Sequence, residues 1–339
     1  MIVDLRSDTV TRPTAALREA MAAAPLGDDV FHDDPSVNAL QEKLAALLGF
    51  EDALFMASGT QSNLCGLMSH CGRGDEYLVG QAAHTYRYEG GGAAVLGSIQ
   101  PQPILNQADG SIALADIEAN IKPDDAHFAR TKLLALENTI GGKVLPLGYI
   151  AAATELAKRK GLGTHLDGAR LFNAAVAAGG DPYAAARDIT RHFDSVSVCF
   201  SKGLGAPVGS MLCGSRELIE RARRWRKMLG GGMRQIGGLA AAASHALDHH
   251  VARLADDHAL ARRLAEGLQG LAGLSVEAPQ TNIVFVQVAP EKAAGVVEQL
   301  KARGVLATGL YTLRFVTHLD VDAQSIDHAI VAMRDIMEK

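Results

Sequence analysis

Two residues that end apolar runs set the chemistry open to this sequence. The segment Asp194-Ser195-Val196-Ser197-Val198-Cys199-Phe200-Ser201-Lys202-Gly203-Leu204-Gly205 puts Lys202 at the exit of a β-branched run and before a glycine turn. Lysine is depleted in strands and rarely buried without a partner, so its place there implies an amine held in a closed site. Upstream, a second apolar stretch at 162–166 ends on Asp167, followed by Gly168-Ala169-Arg170. An amine and an acid at two strand ends match what pyridoxal 5'-phosphate (PLP) requires, a lysine for the Schiff base and a carboxylate for the ring nitrogen. The competing readings are an N-cap for Asp167 and a strand-end lysine reaching solvent for Lys202.

The elements that must position them alternate. Strand-like runs at 53–57, 77–79, 93–96, 133–136, 162–166, 195–200 and 208–213 are separated by helical patterns, which predicts an α/β fold with a mainly parallel seven-stranded sheet. One helix is fully punctuated, with Asp34 as N-cap, Pro35 at the first position, Val37, Leu40, Leu44, Leu47 and Leu48 on one face and Gly49 as C-cap. After Gly230-Gly231-Gly232 the rhythm changes to a long helix, a strand at 282–288, a helix at 291–303, a strand at 313–317 and a closing helix. The expected division is a large domain over 1–247 with an N-terminal arm and a small α+β domain over 248–339.

In doubly wound sheets ligands bind beyond the carboxyl ends of the strands, and the polar residues gather there. Ser58-Gly59-Thr60, Glu137-Asn138, Asp167 and Ser201-Lys202 each follow a run. The Ser58-Gly59-Thr60 turn opens a helix whose backbone N–H groups and dipole suit a phosphate, with a plain N-cap at Thr60 as the alternative. Arg170 and Arg314 are candidates for a substrate carboxylate, which a planar guanidinium fork binds in two places; a structural salt bridge is the alternative for Arg314. His84 and His127 are candidates for ring stacking or acid–base work, and the other histidines read as solvated helix positions. The run Gly203-x-Gly205-x-x-x-Gly209 has the wrong spacing for a dinucleotide fingerprint and is interrupted by Pro207.

The 339 residues are 48% hydrophobic and 21% charged, enough for a sizeable core, and the net charge of −5 without a long basic block argues against nucleic acid. Cys65, Cys71, Cys199 and Cys213 lack metal-ligand spacing and read as small reduced hydrophobes, in keeping with a cytoplasmic protein; no metal is expected. Neither an export signal nor a membrane span is legible.

Longer motifs carry a family resemblance. They are Asp4-Leu5-Arg6-Ser7-Asp8-Thr9-Val10-Thr11, Gly27-Asp28-Asp29-Val30, Ser58-Gly59-Thr60-Gln61-Ser62-Asn63, Leu136-Glu137-Asn138-Thr139, His165-Leu166-Asp167-Gly168-Ala169-Arg170, Ser201-Lys202-Gly203-Leu204-Gly205-Ala206-Pro207-Val208-Gly209, Gly231-Gly232-Met233-Arg234-Gln235 and Val316-Thr317-His318-Leu319. With them the chain resembles, nearly end to end, the low-specificity L-threonine aldolases among the fold-type I (aspartate aminotransferase-like) PLP enzymes. The resemblance implies that Lys202 forms the Schiff base, that Asp167 faces the ring nitrogen, and that Gly59, Thr60 and Ser201 hold the phosphate. It also implies that His84 stacks on the ring, that Ser7, Arg170 and Arg314 take the substrate carboxylate, and that His127 approaches the β-hydroxyl. A homotetramer built from dimers is implied, with Lys227 and Arg234 contributed by a neighbour.

Two stretches depart from the family pattern. Phe31-His32 stands where Tyr-Gly is common, and Ile140-Gly141 where His-Asn is common, which predicts altered hydroxyl-side recognition rather than another reaction. The implied activity is cleavage of L-threonine or L-allo-threonine to glycine and acetaldehyde. The rivals are β-elimination or transamination on the same scaffold, and a non-catalytic binding protein.

Overall fold

The computed structural model describes residues 2–309 and 312–338. Its strands are β1 (Val3–Asp4), β2 (Asp52–Met56), β3 (Asp75–Gly80), β4 (Gln100–Ile104), β5 (Arg130–Glu137), β6 (Gly163–Gly168), β7 (Ser195–Cys199), β8 (Ser210–Gly214), β9 (Leu274–Val276), β10 (Ile283–Val288), β11 (Val305–Leu306) and β12 (Thr312–Val316). Runs such as Ser195–Cys199 are buried throughout, as strands covered on both faces by helices must be. Seven of them form one sheet in the order β2-β8-β7-β6-β5-β3-β4. Every pairing is parallel except those of β8, which runs antiparallel to β2 and β7. The carboxyl ends of β5, β6 and β7 therefore open on one edge, bringing Glu137, Asp167 and the Ser201-Lys202 turn together.

One expected strand is corrected. Residues 93–96 are apolar, but 92–95 form a helical turn entered through Gly91 at φ 68°, and the sheet edge is β4, whose sequence is Gln-Pro-Gln-Pro-Ile. Proline has no N–H for a ladder, so Pro101 and Pro103 are tolerated because β4 pairs with β3 alone. The helix Pro35–Leu48 forms as its punctuation predicts: Asp34 accepts from the N–H groups of Ser36 and Val37, and Gly49 closes it at φ 81°.

A second core surrounds the antiparallel sheet β12-β10-β9, with Leu264 and Leu268 from the helix Leu254–Leu268 and Ile326 and Met333 from the helix Ala323–Met337. Val3 and Leu5 belong to this core, and β1 pairs parallel with β11. Residues 3–5 thus lie on the C-terminal unit, and from there the segment carrying Ser7 and Asp8 turns back toward the large sheet.

Candidate active site

A cavity of about 720 Å³ opens at the carboxyl edge, and Ser7, His84, Glu137, Arg170, Lys202 and Arg314 all line it. Lys202 is set there by a tight turn: the Gly205 N–H donates to the Lys202 carbonyl at 2.8 Å, with Gly205 at φ 76°.

Asp167, at the end of β6, is 2% exposed. It accepts from Asn63 Nδ2 at 2.9 Å and from the Ala169 N–H at 3.0 Å. The same Asn63 nitrogen donates to Glu89 Oε1 at 2.8 Å, which also meets His84 Nδ1 at 2.9 Å. Ligand atoms of His84, Glu89 and Asp167 lie within 4.8 Å of one another. The Glu89 hydrogen bond raises the His84 pKa against burial, while burial raises that of Glu89. Glu137 accepts from the His84 backbone N–H at 2.7 Å; burial, and next the Asp167 charge, push its carboxyl up to about 8.

The end expected to take the phosphate is the start of the helix Gly59–His70. Ser58 caps it by accepting from the Gln61 N–H, so the cap is Ser58 rather than Thr60. The N–H groups of a first helical turn have no partner within the helix and aim at whatever lies before it. A Cβ on Gly59 would lie 2.8 Å from Cys199 Sγ, so only glycine lets this helix start close against the strand leading to Ser201 and Lys202. An amine on the cavity, with a buried acid and an anion-seeking helix start at the ends of neighbouring elements, is the donor set PLP needs.

The arginines differ from each other. Arg170 donates from Nε to Asp8 Oδ2 at 2.8 Å and from Nη2 to Asp8 Oδ1 at 2.6 Å, so its fork is already engaged and Nη1 is left for a ligand. Arg314 has no carboxylate partner among the described residues; its Nη1 donates to the Arg6 carbonyl at 3.1 Å. Burial, and then Arg170, lower its pKa, as expected for a cation short of an anion. Sequence reasoning missed the parts played here by Asp8, Asn63 and Glu89, and left Glu137 without one. Only Glu137, at a strand end, carried a usable signal.

Seven expected residues are not among those lining the cavity: Asp167, Gly59 and Thr60, placed above, and Ser201, Lys227, Arg234 and His127. Ser201 borders the turn beside Lys202, and Lys227 lies in the last turn of the helix Arg216–Met228. Arg234 Nη1 donates to Asp28 at 3.3 Å. His127 is 87% exposed and bonded to Asp125 at 2.6 Å. It precedes the first residue of β5, while Glu137 ends that strand, so at about 3.3 Å per residue it sits roughly 23 Å from the site within one chain. Of the departing residues, Ile140 and Gly141 line the cavity and Phe31 is exposed away from it. The reading of the remaining histidines as solvated is corrected. His165, His250, His258 and His318 are buried, because an imidazole whose ring nitrogens find hydrogen-bond partners is tolerated in a core.

A mainly parallel seven-stranded sheet with lysine and acid at its carboxyl edge and a small C-terminal α+β unit defines a fold-type I PLP enzyme. Residues 4–291 match the model of the beta-eliminating lyases. The chain is 56% identical over 325 residues to the low specificity L-threonine aldolase of Escherichia coli K12, covering 96% of each chain. It is 41% identical over 348 residues to low-specificity L-threonine aldolase 1 of Arabidopsis thaliana, covering 99% of this chain and 96% of that one. The threonine aldolase of Leishmania major shares the fold at a TM-score of 0.83 and 21% identity, over 98% of this chain and 99% of that one. The chain belongs to the beta-eliminating lyase family and, within it, to the low-specificity L-threonine aldolases.

Proposed function

We propose that this enzyme cleaves the Cα–Cβ bond of L-threonine, L-allo-threonine and other L-β-hydroxy-α-amino acids, giving glycine and the corresponding aldehyde. The observation that carries the reading is 56% identity across 96% of the chain to an enzyme bearing that activity in its name. Bound PLP supplies the electron sink for the pair released at Cα. Lys202 would hold the cofactor through its amine, and Asp167 would face the ring nitrogen and favour its positive charge. The helix start at Gly59 and Thr60, with Ser201, holds the phosphate. Arg314, Arg170 through Nη1, and Ser7 orient the substrate carboxylate. Glu89 engages His84 Nδ1, so Nε2 is the bare nitrogen that takes the β-hydroxyl proton; the proton added at Cα then balances the cleavage.

The tetrameric assembly of dimers is part of this proposal, supported by exposed apolar side chains at Phe31, Tyr88, Val95 and Met228. Lys227, Arg234 and His127 would then reach a neighbour's site. A cytoplasmic location fits four free, buried cysteines, and no described helix is long and apolar enough to cross a membrane. The separate core around β9, β10 and β12 supports a small C-terminal unit, while the division at 247/248 falls inside the helix Gly237–His249 and leaves Val251 and Leu254 in the large core.

The test is a steady-state comparison of L-threonine and L-allo-threonine with coupled acetaldehyde detection and glycine quantified in parallel. Equimolar glycine and acetaldehyde are expected. An oxo acid accumulating in place of glycine would replace aldol cleavage by elimination or transamination.

A further inference from the structure

We infer that His165, Ser195 and His70 form a hydrogen-bond relay that fixes the orientation of Asn63 and thereby sets how firmly Asp167 keeps the cofactor's ring nitrogen protonated. The inference rests on the PLP reading of the site.

The relay runs in one direction. Ionised carboxylates only accept, so Asn63 must turn Nδ2 toward Asp167 and Glu89, at 2.9 and 2.8 Å, and its Oδ1 away from them. That oxygen faces His165 Nε2 at 3.2 Å, so Nε2 carries the proton and Nδ1 is bare. Ser195 Oγ lies 2.8 Å from His165 Nδ1 and donates to it. With its hydrogen committed, the hydroxyl accepts from His70 Nε2 at 2.7 Å. Each hydrogen is used once and no donor faces a donor.

Two further observations show that the rings are accommodated. A Cβ on Gly66 would lie 2.8 Å from His165 Cε1, and one on Gly163 would lie 2.9 Å from His70 Nδ1. Gly66 sits inside the helix Gly59–His70, where glycine is otherwise disfavoured. Burial holds both imidazoles neutral, with His165 pushed down to about 3 and His70 to about 4; Asp194 raises the latter and Arg221 lowers it. Each ring therefore carries a single proton at neutral pH, and its hydrogen-bond partners select the nitrogen that holds it.

If Ser195 loses its hydroxyl, the bare Nδ1 of His165 has no partner and the ring is free to turn or to shift its proton, so Nε2–H is no longer held on Asn63 Oδ1. The two carboxylates still draw Nδ2 toward them, but the amide is no longer anchored from behind, and its hydrogen bond to Asp167 weakens. A more basic Asp167 draws the shared proton from the ring nitrogen, and the nitrogen contributed by Lys202 becomes more basic in turn.

The experiment is a pH titration of the visible absorbance of PLP-loaded protein, with the PLP dissociation constant measured alongside. Ser195→Ala, which removes one oxygen and preserves packing, should raise the titration midpoint by roughly one unit and weaken PLP about tenfold, the equivalent of one charge-assisted hydrogen bond. His165→Leu should give a similar shift, and combining it with Ser195→Ala should add little, since both break the same relay. His165→Gln keeps a donor toward Asn63 without a tautomer to lose, so it should restore the midpoint in the Ser195→Ala background. A wild-type protein that binds PLP with a titrating absorbance, while Ser195→Ala lowers only thermal stability, overturns the relay alone. A wild-type protein that takes up no PLP overturns the reading of the site instead.

Discussion

Asp8 and Arg170 lie 162 residues apart in the chain and are joined by two parallel hydrogen bonds of 2.8 and 2.6 Å. Asp8 is wholly buried. Burial alone would raise its carboxyl, yet the Arg170 charge and hydrogen bonds, with Lys202 and Asn282, outweigh it and hold the pKa well below the usual carboxylate range. The pair ties the N-terminal segment to the end of β6 and fixes which guanidinium nitrogen faces the cavity. Its stabilisation is present above the unfolded carboxyl value of about 3.9 and is lost as pH falls through the lower folded value. Asp8→Asn leaves a buried cation unpaired and should cost about 3–5 kcal/mol in denaturant unfolding near neutral pH. An unchanged midpoint would mean that Arg170 finds another anion.

Arg314 has no carboxylate partner among the described residues, and it lines the cavity. Losing one charge-assisted bond of roughly 1.5–3 kcal/mol should raise KM for L-threonine about tenfold to a hundredfold in Arg314→Ala, with a smaller change in kcat. Arg314→Lys keeps the charge and loses the planar fork, so it should fall between the two. Steady-state kinetics on the three proteins decide it, and equal KM values would move the carboxylate site to Arg170 and Ser7 alone.

His84 acts as a base only when neutral. Its pKa is raised, chiefly by the Glu89 hydrogen bond, so kcat/KM should climb with pH through a midpoint above the ordinary histidine value of about 6.5. In Glu89→Gln that hydrogen bond weakens and the acidic limb should move down; in His84→Asn the limb should disappear. A limb unaffected by both substitutions would assign the proton to another group, and Glu137 would be the first to test.

How much of this was legible in the sequence depended on how local each signal was. Lys202 and Asp167 stood out because each ends an apolar run with a residue strands avoid, and the helix after Ser58 was readable from its small-residue turn, although its cap is Ser58 and not Thr60. Strand β4 was not, since Pro101 and Pro103 argue against a strand until its edge position is known, while the apolar 93–96 segment imitates one. Asp8, Asn63 and His165 were hidden for another reason. Each looks ordinary in its own element, and each matters through a partner more than a hundred residues away. Pairings of that kind are decided by the tertiary fold.

Gly59 offers a direct check on the phosphate end of the site. In Gly59→Ala the new Cβ would stand 2.8 Å from Cys199 Sγ, so the start of the helix must move away from the strand that leads to Ser201 and Lys202. The N–H groups of Gly59 and Thr60 move with it. PLP binding should weaken about tenfold to a hundredfold, the scale of one charge-assisted hydrogen bond, whereas pyridoxal, which lacks the phosphate, should bind the variant and the wild type alike. Cys199→Ala removes the obstructing sulfur, so the double variant should recover most of the lost PLP affinity. A double variant as weak as Gly59→Ala would show that the contact with Cys199 is not what seats the helix, and equal losses for PLP and pyridoxal would remove the phosphate from this turn.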